Sequence, residues 1–246
     1  VLSLRIFKRI VFIAALVGLL AGLVLTGVQK IQVGPLILQA EVAENAALVA
    51  KATPHTHVQA QVHTTGDAEH HHASDSLEWQ PKIGWERIAF TALANVSLAM
   101  GFALMLGAAM TVHNQSSGWR QGLIWGAAGY LVFFVMPSLG LPPEAPGTEA
   151  APLVDRQTWW FITVLAAAAA LSLLVFARLW QLKLLGVGLL FLPYLIGVPQ
   201  PLIHQSSTSA ELAHTFVIAA AVANGIFWLV LGGLTGYFHK DSGDVS

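Results

Sequence analysis

Apolar residues run along this chain in blocks of membrane-crossing length, separated by short polar segments and by one long one. A helix of about 17 to 25 apolar residues crosses the ~30 Å hydrocarbon core of a bilayer. Six blocks are candidates: Ile10–Val28, Ile88–Val112, Leu123–Met136 with Trp119 extending it, Thr158–Ala177, Leu184–Val198 and Leu212–Tyr237. Lipid offers no partner for an open backbone, so blocks of this length are read as helices. The pattern predicts an all-α fold, a multi-pass transmembrane helical bundle of about six spans.

The polar stretches define three regions: a first transmembrane helix at 1–28, an extracytoplasmic loop at 29–87, and a five-helix transmembrane region with short loops at 88–246. Arg5, Lys8 and Arg9 precede the first block, as in a secretory leader. The block exceeds a leader's usual 7 to 15 apolar residues and no small-x-small site follows before Gln29, so a retained helix is expected. In the loop, Pro35 suits a helical first turn, and Leu36–Lys51 is expected to form a short amphipathic helix carrying Glu41 and Glu44. From Ala52 to Ser76 there is almost nothing to bury, which predicts disorder in the absence of a ligand. Trp79 and Trp85 return the chain to the membrane interface.

Prolines and glycines shape the rest. Pro137 is expected to end the third span, and Pro193 leaves open whether the short fifth span is continuous, broken or re-entrant. Gly18-x-x-x-Gly22, Gly122-x-x-x-Gly126 and Gly232-x-x-x-Gly236 fit close helix contacts. Two halves of three spans would have opposite orientation, as in inverted-repeat transporters. Placing both termini in the cytoplasm puts seven of the twelve Lys and Arg residues there, the side that positive charge favours. The long loop then lies outside.

Composition agrees: 55% of residues are hydrophobic and 10% charged, with a mean hydropathy of +0.65. A net charge of −1 without a basic run gives no footprint for nucleic acid. There is no cysteine, so a metal would be held by imidazole, carboxylate or carbonyl, which suits cobalt, nickel or zinc. Neither a phosphate-binding Gly-x-x-x-x-Gly-Lys-Ser/Thr loop nor Gly-x-Ser-x-Gly nor His-Glu-x-x-His occurs. No acid/base pair lies at membrane depth, so an enzyme is not expected.

Candidate chemistry concentrates in the long loop. His55, His57, His63, His70, His71 and His72 fall within eighteen residues, with Glu69 among them. A flexible run of neutral imidazoles can wrap a divalent ion without a preformed cage. A second candidate is Glu211 with His214, at i and i+3 on one helix face, with His204 in the loop before them. Thr208-x-x-Glu211 also reads as a capping box, so Glu211 has two possible roles. Glu41, Glu86, Asn95 and Asn224 are candidates for a transport path, the two asparagines offering amide oxygens to a partly dehydrated cation or simply bonding neighbouring helices.

The order of these features resembles the CbtA family of proposed bacterial cobalt transporter subunits. The resemblance runs from Gly34-Pro35-Leu36-Ile37-Leu38-Gln39-Ala40-Glu41 through the His-rich loop and Trp85-Glu86-Arg87. It continues in Leu139-Gly140-Leu141-Pro142-Pro143-Glu144-Ala145-Pro146-Gly147, in Arg156-Gln157-x-Trp159-Trp160, in Leu192-Pro193-Tyr194-Leu195-Ile196-Gly197-Val198-Pro199 and in Phe227-Trp228. It implies cobalt uptake across the bacterial inner membrane, linked to cobalamin supply, beside a small His-bearing membrane subunit. At position 194, where the family leads one to expect histidine, this chain has Tyr. A homo-oligomer is a further possible assembly in the bilayer, and a non-transporting metal sensor, buffer or scaffold is the alternative function.

Overall fold

The computed structural model describes residues 4–52, 81–82, 84–113, 118–201 and 208–240, and every regular element among them is helical. Five helices are long and apolar enough to cross a membrane, and a sixth, of 17 residues, is shorter. The fold class expected from the hydropathy pattern is thus the one observed.

The first helix differs most from expectation. Helix α1 (Leu4–Val28) does not end where the polar region begins but passes through a π-helical turn (Gln29–Val33) into α2 (Gly34–Ala52) without a break. The apolar stretch Lys8–Ala47 is 40 residues of helix, about 60 Å at 1.5 Å per residue and so twice a bilayer core. Pro35 supplies the local reason. A proline ring crowds the carbonyl four residues back, and widening the helix by one residue relieves the clash without ending it. The amide of Gly34 accordingly donates to the carbonyl of Gln29, five residues back.

The same device recurs in the third span. Helix α4 (Trp119–Tyr130) passes through a π-turn (Leu131–Val135) into α5 (Met136–Gly140), and Pro137 stands two residues past the turn, as Pro35 does past the first. The span therefore continues beyond Pro137 to Gly140. Helix α3 (Trp85–Val112) precedes α4. Helix α6 (Leu153–Phe176), helix α7 (Trp180–Ile196) and helix α8 (Ala210–Lys240) complete the bundle. Helix α7 runs unbroken through Pro193.

Three antiparallel pairs make up the tertiary structure: α1 with α3, α4 with α8, and α6 with α7, with α1 and α8 joining the first two. The third span pairs with the sixth, across the division between the first three spans and the last three. Lipid gives little hydrophobic drive for helix association, so close approach of backbones matters more. Gly122, Gly126, Gly232 and Gly236 provide it. A Cβ on Gly232 would lie 2.3 Å from the carbonyl oxygen of Gly122 and 2.6 Å from Cα of Gly126. Gly18 and Gly22 likewise bring α1 against Met100 and Val96 of α3. Where α3, α4 and α8 meet, Phe102 lies 4.8 Å from Trp228 and 5.0 Å from Phe133, ring centre to ring centre. Phe227, Trp228 and Leu231 are among the most deeply buried side chains there.

The directions of these pairs place Leu4 and Lys240, the two described chain ends, at the same end of the bundle. Ala52 closes α2 and Trp85 opens α3 at the opposite end, together with the 141–152 connection.

Candidate functional site

A cavity of about 660 Å³ opens between the α1–α2 rod, α3 and α8 at the end that carries Trp85. Its walls are largely apolar, with Val33, Ile37, Ile88, Phe134 and Phe216 among them, but a polar column descends one side. Arg87, Thr91 and Asn95 recur at i, i+4 and i+8, one stripe down the α3 face that meets α1. Thr26 and Gln29 answer them from α1 and its π-turn.

The bottom of this column is the most constrained. Asn95 is buried, and its Nδ2 donates to Gln29 Oε1 at 2.7 Å and to Thr26 Oγ1 at 3.0 Å. Thr26 in turn donates to the carbonyl of Gly22 at 2.8 Å. One turn higher, Thr91 lines the cavity and donates to the carbonyl of Arg87 at 2.8 Å. At the top, the Arg87 guanidinium grips both carboxylate oxygens of Glu41, at 2.6 and 3.3 Å. Asn224 of α8 closes the far wall, its Nδ2 donating to the carbonyl of Ala220 at 3.0 Å. Among the described residues the charged side chains lining the cavity are Lys30 and Arg87, and no carboxylate lines it.

Of the four path candidates, the structure brings Glu41, Asn95 and Asn224 to this cavity or to side chains that line it. Glu86 is half-buried and not part of the lining. Glu211 and His214 are both exposed on the first turns of α8. The helix cap there includes Ser209, whose hydroxyl accepts from the Leu212 amide at 3.3 Å, while the Thr208 hydroxyl donates to the carbonyl of Pro146 at 2.7 Å. His55, His57, His63, Glu69, His70, His71, His72 and His204 lie outside the described residues. Among the described residues no group of three or more His, Asp or Glu is placed to hold a metal ion. At the opposite end the His113 ring lies 4.0 Å from that of Phe176, centre to centre and tilted by 43°, and His239 lies 3.5 Å from the Thr111 hydroxyl.

Sequence reasoning missed Thr26, Gln29, Lys30 and the pairing of Arg87. The i, i+4, i+8 stripe on α3 was a readable signal, and so was Thr26-x-x-Gln29. Their joining was not, because it depends on the antiparallel register of α1 and α3.

A second hollow, of about 760 Å³, lies beside α5 and the start of α6, lined by Phe133, Pro137, Arg156 and Trp160 among others. Around it several distinctive segments converge. Arg156 pairs with Glu144 at 3.1 Å, Trp159 Nε1 donates to the carbonyl of Pro193 at 3.1 Å, and Gly140 sits under the Trp159 ring. The family model described as a probable cobalt transporter subunit, CbtA, matches residues 7–240, nearly the whole chain. The chain belongs to the CbtA family. No curated protein matches it, and no solved structure does.

Family membership makes this chain a multi-pass membrane protein of a probable cobalt transporter, with cobalt as cargo. A subunit implies partners, and the family is described by transport. The Leu139–Gly147, Arg156–Trp160 and Leu192–Pro199 segments that carry the CbtA resemblance thus form one structural corner. Tyr194 takes part: its hydroxyl donates to the carbonyl of Met136, and its ring meets the Trp159 ring edge-on at 5.7 Å. In this CbtA chain the 194 side chain ties α7 to α5.

Proposed function

We propose that this CbtA chain is the membrane subunit of a divalent metal uptake system, with cobalt the metal carried inward. His55, His57, His63, Glu69, His70, His71 and His72 collect the ion outside the membrane, and His204, Glu211 and His214 offer it a second stop at the membrane surface. The ion then descends along α3 past Glu41 and Asn95, with Asn224 on the opposite wall. The observation that supports this route is the buried column in which Asn95 joins Gln29 and Thr26 beside the cavity. Neutral side-chain oxygens can replace part of an ion's hydration shell without holding the ion permanently.

In this reading the chain lies in the bacterial inner membrane, both termini face the cytoplasm, and a small His-bearing subunit completes the transporter. Cobalt uptake by cells carrying the full system is the test. Deleting 52–76 together with His214→Ala is expected to lower uptake at limiting cobalt, and uptake equal to that of the unmodified chain would overturn the capture step.

A second reading, a membrane metal sensor, buffer or scaffold that carries nothing itself, draws on the cationic lining of the cavity. Radiolabelled cobalt flux into liposomes, with and without the small subunit, separates the two. Flux supports transport, whereas binding without flux in both preparations supports the second reading.

A further inference from the structure

The cavity wall carries two cations, Lys30 and Arg87, on an otherwise largely apolar surface. Arg87 is balanced by Glu41, which takes one N–H from Nη1 and one from Nη2 and leaves further donors on the same guanidinium. Lys30 is exposed, and among the described residues its ammonium has no hydrogen bond or ion pair. Beside it the Gln29 carboxamide is oriented by Asn95. Gln29 Oε1 accepts from Asn95 at 2.7 Å, which turns Nε2 away with no acceptor among the described residues. The cavity thus presents one unbalanced positive charge and a set of unspent donors beside apolar walls.

We propose that this cavity binds an anionic phospholipid, its phosphodiester held by Lys30, Gln29 and Arg87 and an acyl chain lying against Val33, Ile37 and Phe216. Three observations carry the assignment. The first is charge: a phosphodiester brings one negative charge, which matches the one that Lys30 leaves unbalanced, and its oxygens accept from the free donors. The second is depth. Lys30 stands about 33 Å from Lys8 along a continuous helix, about one hydrocarbon core away, and the exposed Trp85 opens α3 at the same end. Indoles favour the interface, so Lys30 and Arg87 sit at headgroup level. The third is room. At about 660 Å³ the cavity is of ligand-binding size, and its apolar walls suit a hydrocarbon chain rather than a free phosphate ion. Basic pockets between membrane helices bind anionic headgroups in this way. A phosphate seated there offsets the positive charge beside the Asn95 column, but the inference holds whether or not an ion passes.

The experiment is native mass spectrometry of the full chain released from a neutral detergent and titrated with phosphatidylglycerol, with phosphatidylcholine of the same acyl chains, or with inorganic phosphate. One phosphatidylglycerol is expected to bind saturably and at least about fivefold more tightly than phosphatidylcholine. Lys30→Gln should weaken phosphatidylglycerol binding about fivefold, the equivalent of about 1 kcal/mol for one basic side chain at a lipid surface. Lys183→Gln removes an exposed lysine from α7 and should leave binding unchanged. Ala220→Leu narrows the cavity without altering a charge and should weaken both lipids. Thermal unfolding shows whether each variant is folded, and if Ala220→Leu is not, Thr91→Leu fills the same cavity in its place. Equal binding of the two lipids, or equal effects of Lys30→Gln and Lys183→Gln, overturns the proposal, because the site then does not read charge. Full binding in the narrowed variant, or displacement of phosphatidylglycerol by an equal concentration of inorganic phosphate, overturns it as well, because the cavity then holds no chain.

Discussion

Asn95 offers the sharpest test of how the helices are held together. Its side-chain amide makes two interhelical hydrogen bonds, at 2.7 Å to Gln29 and 3.0 Å to Thr26, from a residue 9% exposed. Such bonds average about 0.6 kcal/mol in a bilayer and reach about 1.7 kcal/mol, because the separated helices find other partners. Asn95→Ala should therefore destabilise the fold by about 1 to 3 kcal/mol, and Gln29→Ala by about 0.6 to 1.7 kcal/mol. In the double variant the shared bond is lost only once, so its penalty should fall short of the sum of the two single penalties by about 0.6 kcal/mol, and by no more than about 1.7 kcal/mol. The assay is reversible unfolding in mixed micelles, followed by the fluorescence of the eight tryptophans. If the two penalties add to within about 0.3 kcal/mol, the residues do not interact and the polar column is not as described.

Four further outcomes follow from the packing. Gly232→Ala puts a methyl group 2.3 Å from the carbonyl oxygen of Gly122, where backbone rather than a movable side chain stands, and should cost about 1 to 3 kcal/mol by forcing α4 and α8 apart. Gly188→Ala, with open space around it, should be nearly neutral in the same unfolding assay. Trp159→Phe loses both the bond to the Pro193 carbonyl and the half of the indole that packs on Gly140, and should lower stability by about 1 to 3 kcal/mol in the same assay. Glu144→Gln removes a pair that is 33% exposed at Arg156 and 26% at Glu144, so thermal unfolding should shift by the equivalent of no more than about 1 kcal/mol.

Much of this was readable in the residues alone. Apolar blocks of bilayer length specify helices one at a time, because in lipid each helix satisfies its own backbone and needs no distant partner to do so. The all-α bundle, the glycine spacings at 122, 126, 232 and 236, the importance of Asn95, and the family were legible for that reason. Two boundaries were not. Pro35 and Pro137 read as a start and a stop, yet each follows a π-turn that lets the helix continue, and the choice between breaking and widening a helix depends on what packs against it.

Only the tertiary structure decided which helix meets which. Hydropathy is the same on every lipid-facing surface, so it cannot say that α4 pairs with α8 rather than with its neighbour α6. Matching small-residue stripes decide that, and they must be read on two helices at once. Likewise, Glu41 and Arg87 are 46 residues apart, and Asn95 and Gln29 are 66 apart. The sequence by itself determined that the chain crosses a membrane and where its polar groups fall along each helix. The register of α1 against α3 determined that those groups form one column beside a cavity, because a hydrogen bond between helices exists only where their faces and depths coincide.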